Sequence, residues 1–170
     1  YIGGEYCPNC AAERWAMLNA LSRFGTFRNV SQIQSYEGNI STLSFYGSGY
    51  TSPYVDFVPV EIEGNTIGNA GNYVPLQSLT SAQQQIFQTD DSGGSIPFID
   101  VGNRNTLVGA SYQYATLEDG SGNPLTWQTI ASSLGDTHSP IAQSILGTAN
   151  YLTAALCAIT GQQPGSVCNA

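Results

Sequence analysis

Apolar residues along the chain fall into helical and strand-like spacings, and glycine or proline punctuates the boundaries. Residues 1–6, YIGGEY, read as a strand running into a glycine turn. In residues 7–24, Ala11, Trp15, Leu18 and Leu21 recur at three- and four-residue intervals, which predicts a helix with one apolar face. Pro8 suits its first turn, where a missing N–H costs nothing, and Gly25 is placed to end it. The texture then changes. FRNVSQI, STLSFYG and VDFVPVEIEG are rich in Val, Ile, Phe and Tyr and read as strands with connecting loops. Residues 65–74 are rich in Gly and Asn and read as loop.

Ser78 or Thr80 is placed to cap a short helix, SAQQQIFQTD, which stops at Asp91-Ser92-Gly93-Gly94. Two apolar runs, PFIDV and TLVGA, flank Gly102-Asn103-Arg104-Asn105, a strong hairpin signal. Residues 111–123 read as loop, and residues 125–134 and 140–160 as helices. The second of these places Ile141, Ile145, Ala149, Leu152 and Leu156 on one face. There is no internal repeat and no linker, so residues 1–170 are expected to form one domain. The order of elements predicts an α/β (α+β) fold: a central mixed sheet flanked by helices, with a β-rich insertion in the middle.

Composition narrows the function. A chain of 170 residues with 41% hydrophobic content can bury a full core, and no apolar run is long enough to span a bilayer. Tyr1 enters a strand with no signal-peptide pattern, which predicts that a leader or anchor precedes it in the natural protein. Charged residues are only 9%, lysine is absent, and the basic side chains are Arg14, Arg23, Arg28, Arg104 and His138. A net charge of −8 argues against partners such as nucleic-acid backbone or an anionic membrane surface. A surface built from Ser, Thr, Asn, Gln and Tyr loses little when carboxylates protonate, which suits acid surroundings. Two glycosylation acceptor patterns occur, at Asn29 and Asn39. With four cysteines and no lysine they predict an extracytoplasmic protein, secreted or on the cell surface. The competing reading makes both asparagines plain turn or strand residues.

The candidate chemistry is Cys7-Pro8-Asn9-Cys10. A zinc site needs about four ligands. Only Cys157, Cys168 and His138 remain as soft donors, and they form no second paired motif, so neither a metal nor another cofactor is expected. A structural disulfide is the serious competitor in a secreted chain. Cys7, however, sits where strand meets helix, and N–H groups at a helix start stabilise a thiolate. A strand, then CPNC, then a helix resembles the active-site motif of the thioredoxin superfamily. Ser95-Ile96-Pro97 before a hairpin resembles that superfamily's cis-proline loop. EYCPNCAAERW also resembles a family of secreted or surface thioredoxin-like proteins of thermoacidophilic archaea, to which no substrate is assigned.

The resemblance implies roles. Cys7 would be the exposed nucleophile and Cys10 the buried resolving thiol. Pro8 would stiffen the turn. Asn9 is neutral, so tuning of the thiol would fall mainly on the helix N-terminus. Pro97 would be cis and close to Cys7. Ile96 would offer backbone hydrogen bonds to an extended substrate, placing Pro8, Asn9 and Ile96 on the substrate side. Among flanking residues, Glu5 reads as a solvated carboxylate, Arg14 as an offset to Glu5 or Glu13 or a surface residue, Trp15 as core, and His138 as a surface or capping residue.

Cys157 and Cys168 read differently. A bridge between them would pin the tail, and closing a short loop stabilises by about 3 kcal/mol. Proximity favours pairing Cys7 with Cys10 and Cys157 with Cys168 among the three connectivities. Two functions compete. One is an extracytoplasmic thiol–disulfide oxidoreductase whose partners are thiols and disulfides of secreted proteins, with oxidase favoured because a secreted reductase needs an electron supply. The other is a surface or assembly protein with a locked bridge. The sequence leaves room for a homo-oligomer.

Overall fold

The computed structural model describes residues 1–169. Its centre is a mixed four-stranded sheet of β1 (Ile2–Gly3), β6 (Val60–Glu61), β9 (Phe98–Val101) and β10 (Asn105–Val108), in the order β10-β9-β1-β6. β1 runs parallel to β6, with Gly3 opposite Glu61, and antiparallel to β9, with Ile2 opposite Phe98. β9 and β10 form a hairpin closed over residues 102–104.

Helix α1 (Pro8–Leu21) follows β1 and packs against α4 (Pro140–Ile159). It is not the one-faced helix that its spacing predicts: ten of its 14 residues are buried. The helix is enclosed because α4 and β4 (Ser41–Ser44) both pack against it, and Ala11, Ala12, Ala16 and Ala20 let neighbours approach closely. Met17, Leu21, Phe45, Ile99, Leu152 and Leu156 share one core cluster, each worth about 1.5–3 kcal/mol when buried. Trp15 belongs to a second cluster with Ile40, Leu117 and Ile145, and its indole N–H reaches the Ser41 carbonyl at 2.9 Å. α1 stops at Leu21, short of residue 24, because Arg23 and Phe24 bond back to Ala20 and Leu21 in tighter turns.

The middle segment forms a bent arm. β2 (Thr26–Arg28) pairs with β5 (Gly49–Thr51), and β3 (Ser31–Gln34) pairs with β4. The bend falls at Asn29, whose φ is 55°. Asn39, at φ 51°, lies in the β3–β4 turn, and both asparagines are exposed. Of VDFVPVEIEG, only Val60–Glu61 and the residues from Glu63 onward are strand. Phe57 instead packs into an aromatic cluster with Phe27, Phe45 and Tyr50, and Pro59 has no N–H to offer a ladder.

Residues 65–74 are not simply loop. β7 (Glu63–Ile67) and β8 (Tyr73–Pro75) pair as an irregular hairpin whose tip holds the Gly and Asn residues. α2 (Ser81–Asp90) is capped by Thr80, whose hydroxyl and the Gln83 side chain satisfy each other's backbone N–H. α3 (Trp127–Ser133) and α4 follow, and α4 buries Ile145, Ala149, Leu152 and Leu156 as its spacing predicts. A last turn of helix, α5 (Gly165–Cys168), is bridged to α4 by Cys157–Cys168. Among the described residues no helix is long and apolar enough to cross a membrane.

Candidate functional site

The chain leaves β1 through Gly4 and turns into α1 at Cys7. Cys7 is the N-cap, with extended backbone (φ −82°, ψ 125°), and its Sγ accepts the N–H of Cys10 at 3.3 Å. A position usually filled by a Ser, Thr or Asp oxygen is therefore held by sulfur. Pro8 occupies the first helical turn, where it gives up no hydrogen bond. Across from this turn the Ile96–Pro97 peptide bond is cis, and the Cys7 thiol donates to the Ile96 carbonyl oxygen at 3.9 Å. The same loop is tied to the end of β10 by the Gly109 N–H on the Pro97 carbonyl at 2.8 Å. Gly4 makes the approach possible. A Cβ there would lie 2.7 Å from the Tyr6 ring and 3.4 Å from Ile96 Cδ1.

Charge on the two sulfurs is divided unequally. The Cys7 thiol is lowered to about 7, chiefly by a hydrogen bond with the Cys10 side chain; burial opposes this, and the N–H groups of Cys10 and Asn9 and the Arg14 charge add to it. Burial pushes the Cys10 thiol up, and its bond to Cys7 pushes it further. The helix N–H groups thus contribute, but the neighbouring thiol contributes most, which corrects the expected order. Exposure also differs from expectation. Cys10 is fully buried, but Cys7 is only 6% exposed, so it is not the open sulfur that the resemblance implies. The Ile96 carbonyl lies against it. Asn9 is exposed, and Pro8 and Ile96 are half-buried on either side.

Beneath the pair lies a group that sequence reasoning misplaced. Arg14 is fully buried and forks onto Glu61, with Nε and Nη2 each 2.8 Å from a carboxylate oxygen. Nη2 also donates to the Gly4 carbonyl at 2.7 Å, the same oxygen that accepts the Cys7 N–H at 3.2 Å. Arg14 therefore fixes the turn that presents Cys7. It offsets neither Glu5 nor Glu13 and is not on the surface. The signal in the sequence was a charge set inside the small, apolar run AAERWAML. Glu5 is half-buried and accepts the Ser44 hydroxyl rather than lying free in water. Glu13 is fully buried and accepts the Ser111 N–H at 2.8 Å and its hydroxyl at 3.2 Å. His138 is exposed beside Asp136.

The fold thus gathers Cys7, Pro8, Asn9, Cys10, Ile96 and Pro97 at one place. Cys157 and Cys168 form a separate bridge, and Asn29 and Asn39 lie at two turns of the arm. Among the described residues, no three His, Cys, Asp or Glu side chains are grouped to hold a metal ion.

No curated protein and no solved structure matches the chain. A family model described as a domain of unknown function, DUF929, matches residues 1–158, and the chain belongs to that family.

Proposed function

We propose that this protein is an extracytoplasmic thiol–disulfide oxidoreductase on a thioredoxin-like domain, exchanging disulfides with secreted proteins through Cys7 and Cys10. One observation carries the reading: Cys7 caps α1 with its sulfur, facing the cis Ile96–Pro97 bond, and its thiol is lowered to about 7. A mixed sheet with a helix following CPNC, and a cis-proline loop before the β9–β10 hairpin, is the layout the resemblance implies. The lysine-free composition and the exposed acceptor asparagines support a location outside the cytoplasm.

In the oxidised protein, a substrate thiolate attacks Cys7 Sγ, the Cys7–Cys10 bond breaks, and Cys10 leaves as a thiolate that takes up a proton. A second substrate thiolate then attacks the mixed disulfide at the substrate sulfur and releases Cys7. Two substrate thiols become one disulfide, and the protein becomes a dithiol. A low thiol pKa makes Cys7 a good leaving group in that last step, which favours oxidation of substrates. Return to the oxidised form uses a small-molecule or protein disulfide.

Near-complete burial of both sulfurs favours a second reading, a structural clamp on an inherited scaffold. Reduction potentials separate the two. A working pair should reduce well before Cys157–Cys168, whereas a clamp should lie below about −300 mV. After reduction, an alkylating probe should modify Cys7 first and at a pH below about 8.5, the ordinary thiol value. Cys10→Ser should trap mixed disulfides at Cys7. Equal resistance of the two pairs to reduction, with no trapped species, would leave only the clamp.

A further inference from the structure

Three tyrosines from three separate stretches of chain meet beside Cys7. Tyr6, its immediate neighbour, stacks on Tyr73 of β8, with ring centroids 3.9 Å apart and planes 13° from parallel. Tyr36, from the β3–β4 turn, meets Tyr73 edge-on at 5.6 Å. A set of polar contacts locks the three together. Tyr73 donates its hydroxyl to Glu37 at 2.8 Å, and the Glu37 N–H reaches the Tyr6 carbonyl at 3.0 Å. Asn65 accepts the Tyr36 N–H and donates to the Gln34 carbonyl, joining the arm to the β7–β8 hairpin. The Glu5 N–H bonds to the Glu63 carbonyl at 2.8 Å, tying the same hairpin to the approach to CPNC.

This cluster is ordered without being a core. Tyr36 is 52% exposed, and Ile67 and Val74 of the same hairpin are also open to solvent. Its charge is of one sign. Glu37 sits on the Tyr73 hydroxyl, and Glu63 lies close enough to Tyr6 to act on its titration. No arginine belongs to the β3–β4 turn or the β7–β8 hairpin that supply Tyr36 and Tyr73. Arg14 is buried on Glu61, Arg23 binds Asn150 and Thr153, Arg28 lies in β2, and Arg104 lies in the β9–β10 turn. Burial and the nearby Glu63 carboxylate push the Tyr6 phenol up to about 12, so the ring beside Cys7 stays neutral.

We infer that this tyrosine face is a docking platform for the polypeptide that exchanges with Cys7, and that it selects a cationic segment flanking the partner's cysteine. The inference rests on the oxidoreductase reading and adds the class of substrate. Lys and Arg side chains are attracted to tyrosine faces and to the Glu37 and Glu63 carboxylates near them. Tyrosine also gives large contact area while losing little conformational freedom. Tyr6 adjoins Cys7, so the selected residues lie within a few positions of the partner cysteine, at about 3.3 Å per residue of extended chain. A second copy of this chain is a poor occupant, because it carries no lysine, four arginines and a net charge of −8.

The test uses two short peptides, each with one cysteine held as a mixed disulfide with glutathione. One has Arg and Lys flanking the cysteine, the other Asp and Ser. Exchange rates are measured for both and for oxidised glutathione, with the wild-type chain, Tyr36→Ser and Glu37→Gln. The wild type should prefer the cationic peptide by about tenfold, and salt should weaken the preference. Each variant should lower that preference several-fold and leave the glutathione rate and the Cys7 titration unchanged. Measurable exchange at equal rates with the two peptides, or a variant that slows glutathione as much as the cationic peptide, would overturn the platform.

A binding arm keeps the two readings apart. The Cys7→Ser/Cys10→Ser chain is titrated with serine versions of the peptides. A binding preference for the cationic peptide without exchange by the wild type supports the platform and removes the oxidoreductase. Exchange with glutathione and no binding preference does the reverse.

Discussion

The two cysteine pairs sit in one small protein and have little else in common. Cys157 and Cys168 are 11 residues apart, join α4 to the terminal turn, and are bonded. Cys157 belongs to the main core cluster, and Cys168 packs against it. Such a bridge works on the unfolded chain, by removing its freedom. Cys7 and Cys10 enclose only Pro8 and Asn9, so a bond between them constrains the unfolded chain far less. Their surroundings act on charge instead: a helix N–H on one sulfur, a carbonyl from the cis-proline loop, and a buried guanidinium below. A pair that holds the fold needs hydrophobic packing. On the proposed function the first pair exchanges electrons, and that needs control of which sulfur is negative.

The largest effect should come from breaking the charge beneath the first pair. Arg14→Met leaves Glu61 buried without its partner and takes one of two hydrogen bonds from the Gly4 carbonyl, a change worth about 3–5 kcal/mol. Replacing both, Arg14→Met with Glu61→Met, should recover most of that loss, because the cost lies in the unpaired charge. Urea unfolding of the three proteins checks this. If the double variant is no more stable than the single, Arg14 acts by packing, and the contrast between a charged and an apolar setting is weakened.

Removing the tail bridge comes next. Cys157→Ala with Cys168→Ala should cost about 3 kcal/mol, as a loop of this length implies. It should leave the titration of Cys7 where it is. A shift in that titration would show that the two regions are coupled through α4 and α1, which pack together. An unchanged stability would make the tail pair dispensable and remove one side of the comparison.

What the sequence revealed follows the same division between local and distant causes. The tail bridge, the stripe of α4, the β9–β10 hairpin and the cap of α2 are set by residues close in sequence, and each was legible there. The cap of α1 was legible too, since Pro8 and the helical spacing after it place Cys7 at the start. Arg14 was not. Its partner Glu61 is 47 positions away and is brought in only by the parallel register of β1 with β6. AAERW sets a charge among small and apolar residues, but only the register of β1 with β6 decides where that charge goes. Residues 65–74 carry the composition of a loop, but Tyr73 is held by stacking on Tyr6 and by Glu37, both far off in sequence. Burial of Cys7 depends on the loop at Ile96, 89 residues later, and is equally invisible locally.

The smallest expected effect concerns pH, and it sets α1 against the tail once more. Glu13 lies three residues beyond Cys10 and is fully buried. Burial raises its carboxyl above the ordinary 4.5, and the two bonds from Ser111 only partly oppose this. A group raised in the folded state keeps its proton over a range in which the unfolded chain has lost it. Its contribution is therefore complete below about 4.5 and is lost as pH rises through the raised value. Glu13→Gln keeps the shape and an acceptor for the Ser111 N–H, and it cannot ionise. Wild type and variant should be nearly equal in acid, and the variant should gain on the wild type towards neutral pH. Asp119 runs the other way, held low by Asn123 and Ser121, but it is common to both proteins and cancels in the difference. Unfolding measured from about pH 3 to about pH 7 gives that difference directly. Loss of the tail bridge should shift both stability curves down without changing the gap between them. If the two curves run parallel across the range, Glu13 does not titrate in the fold as its burial demands.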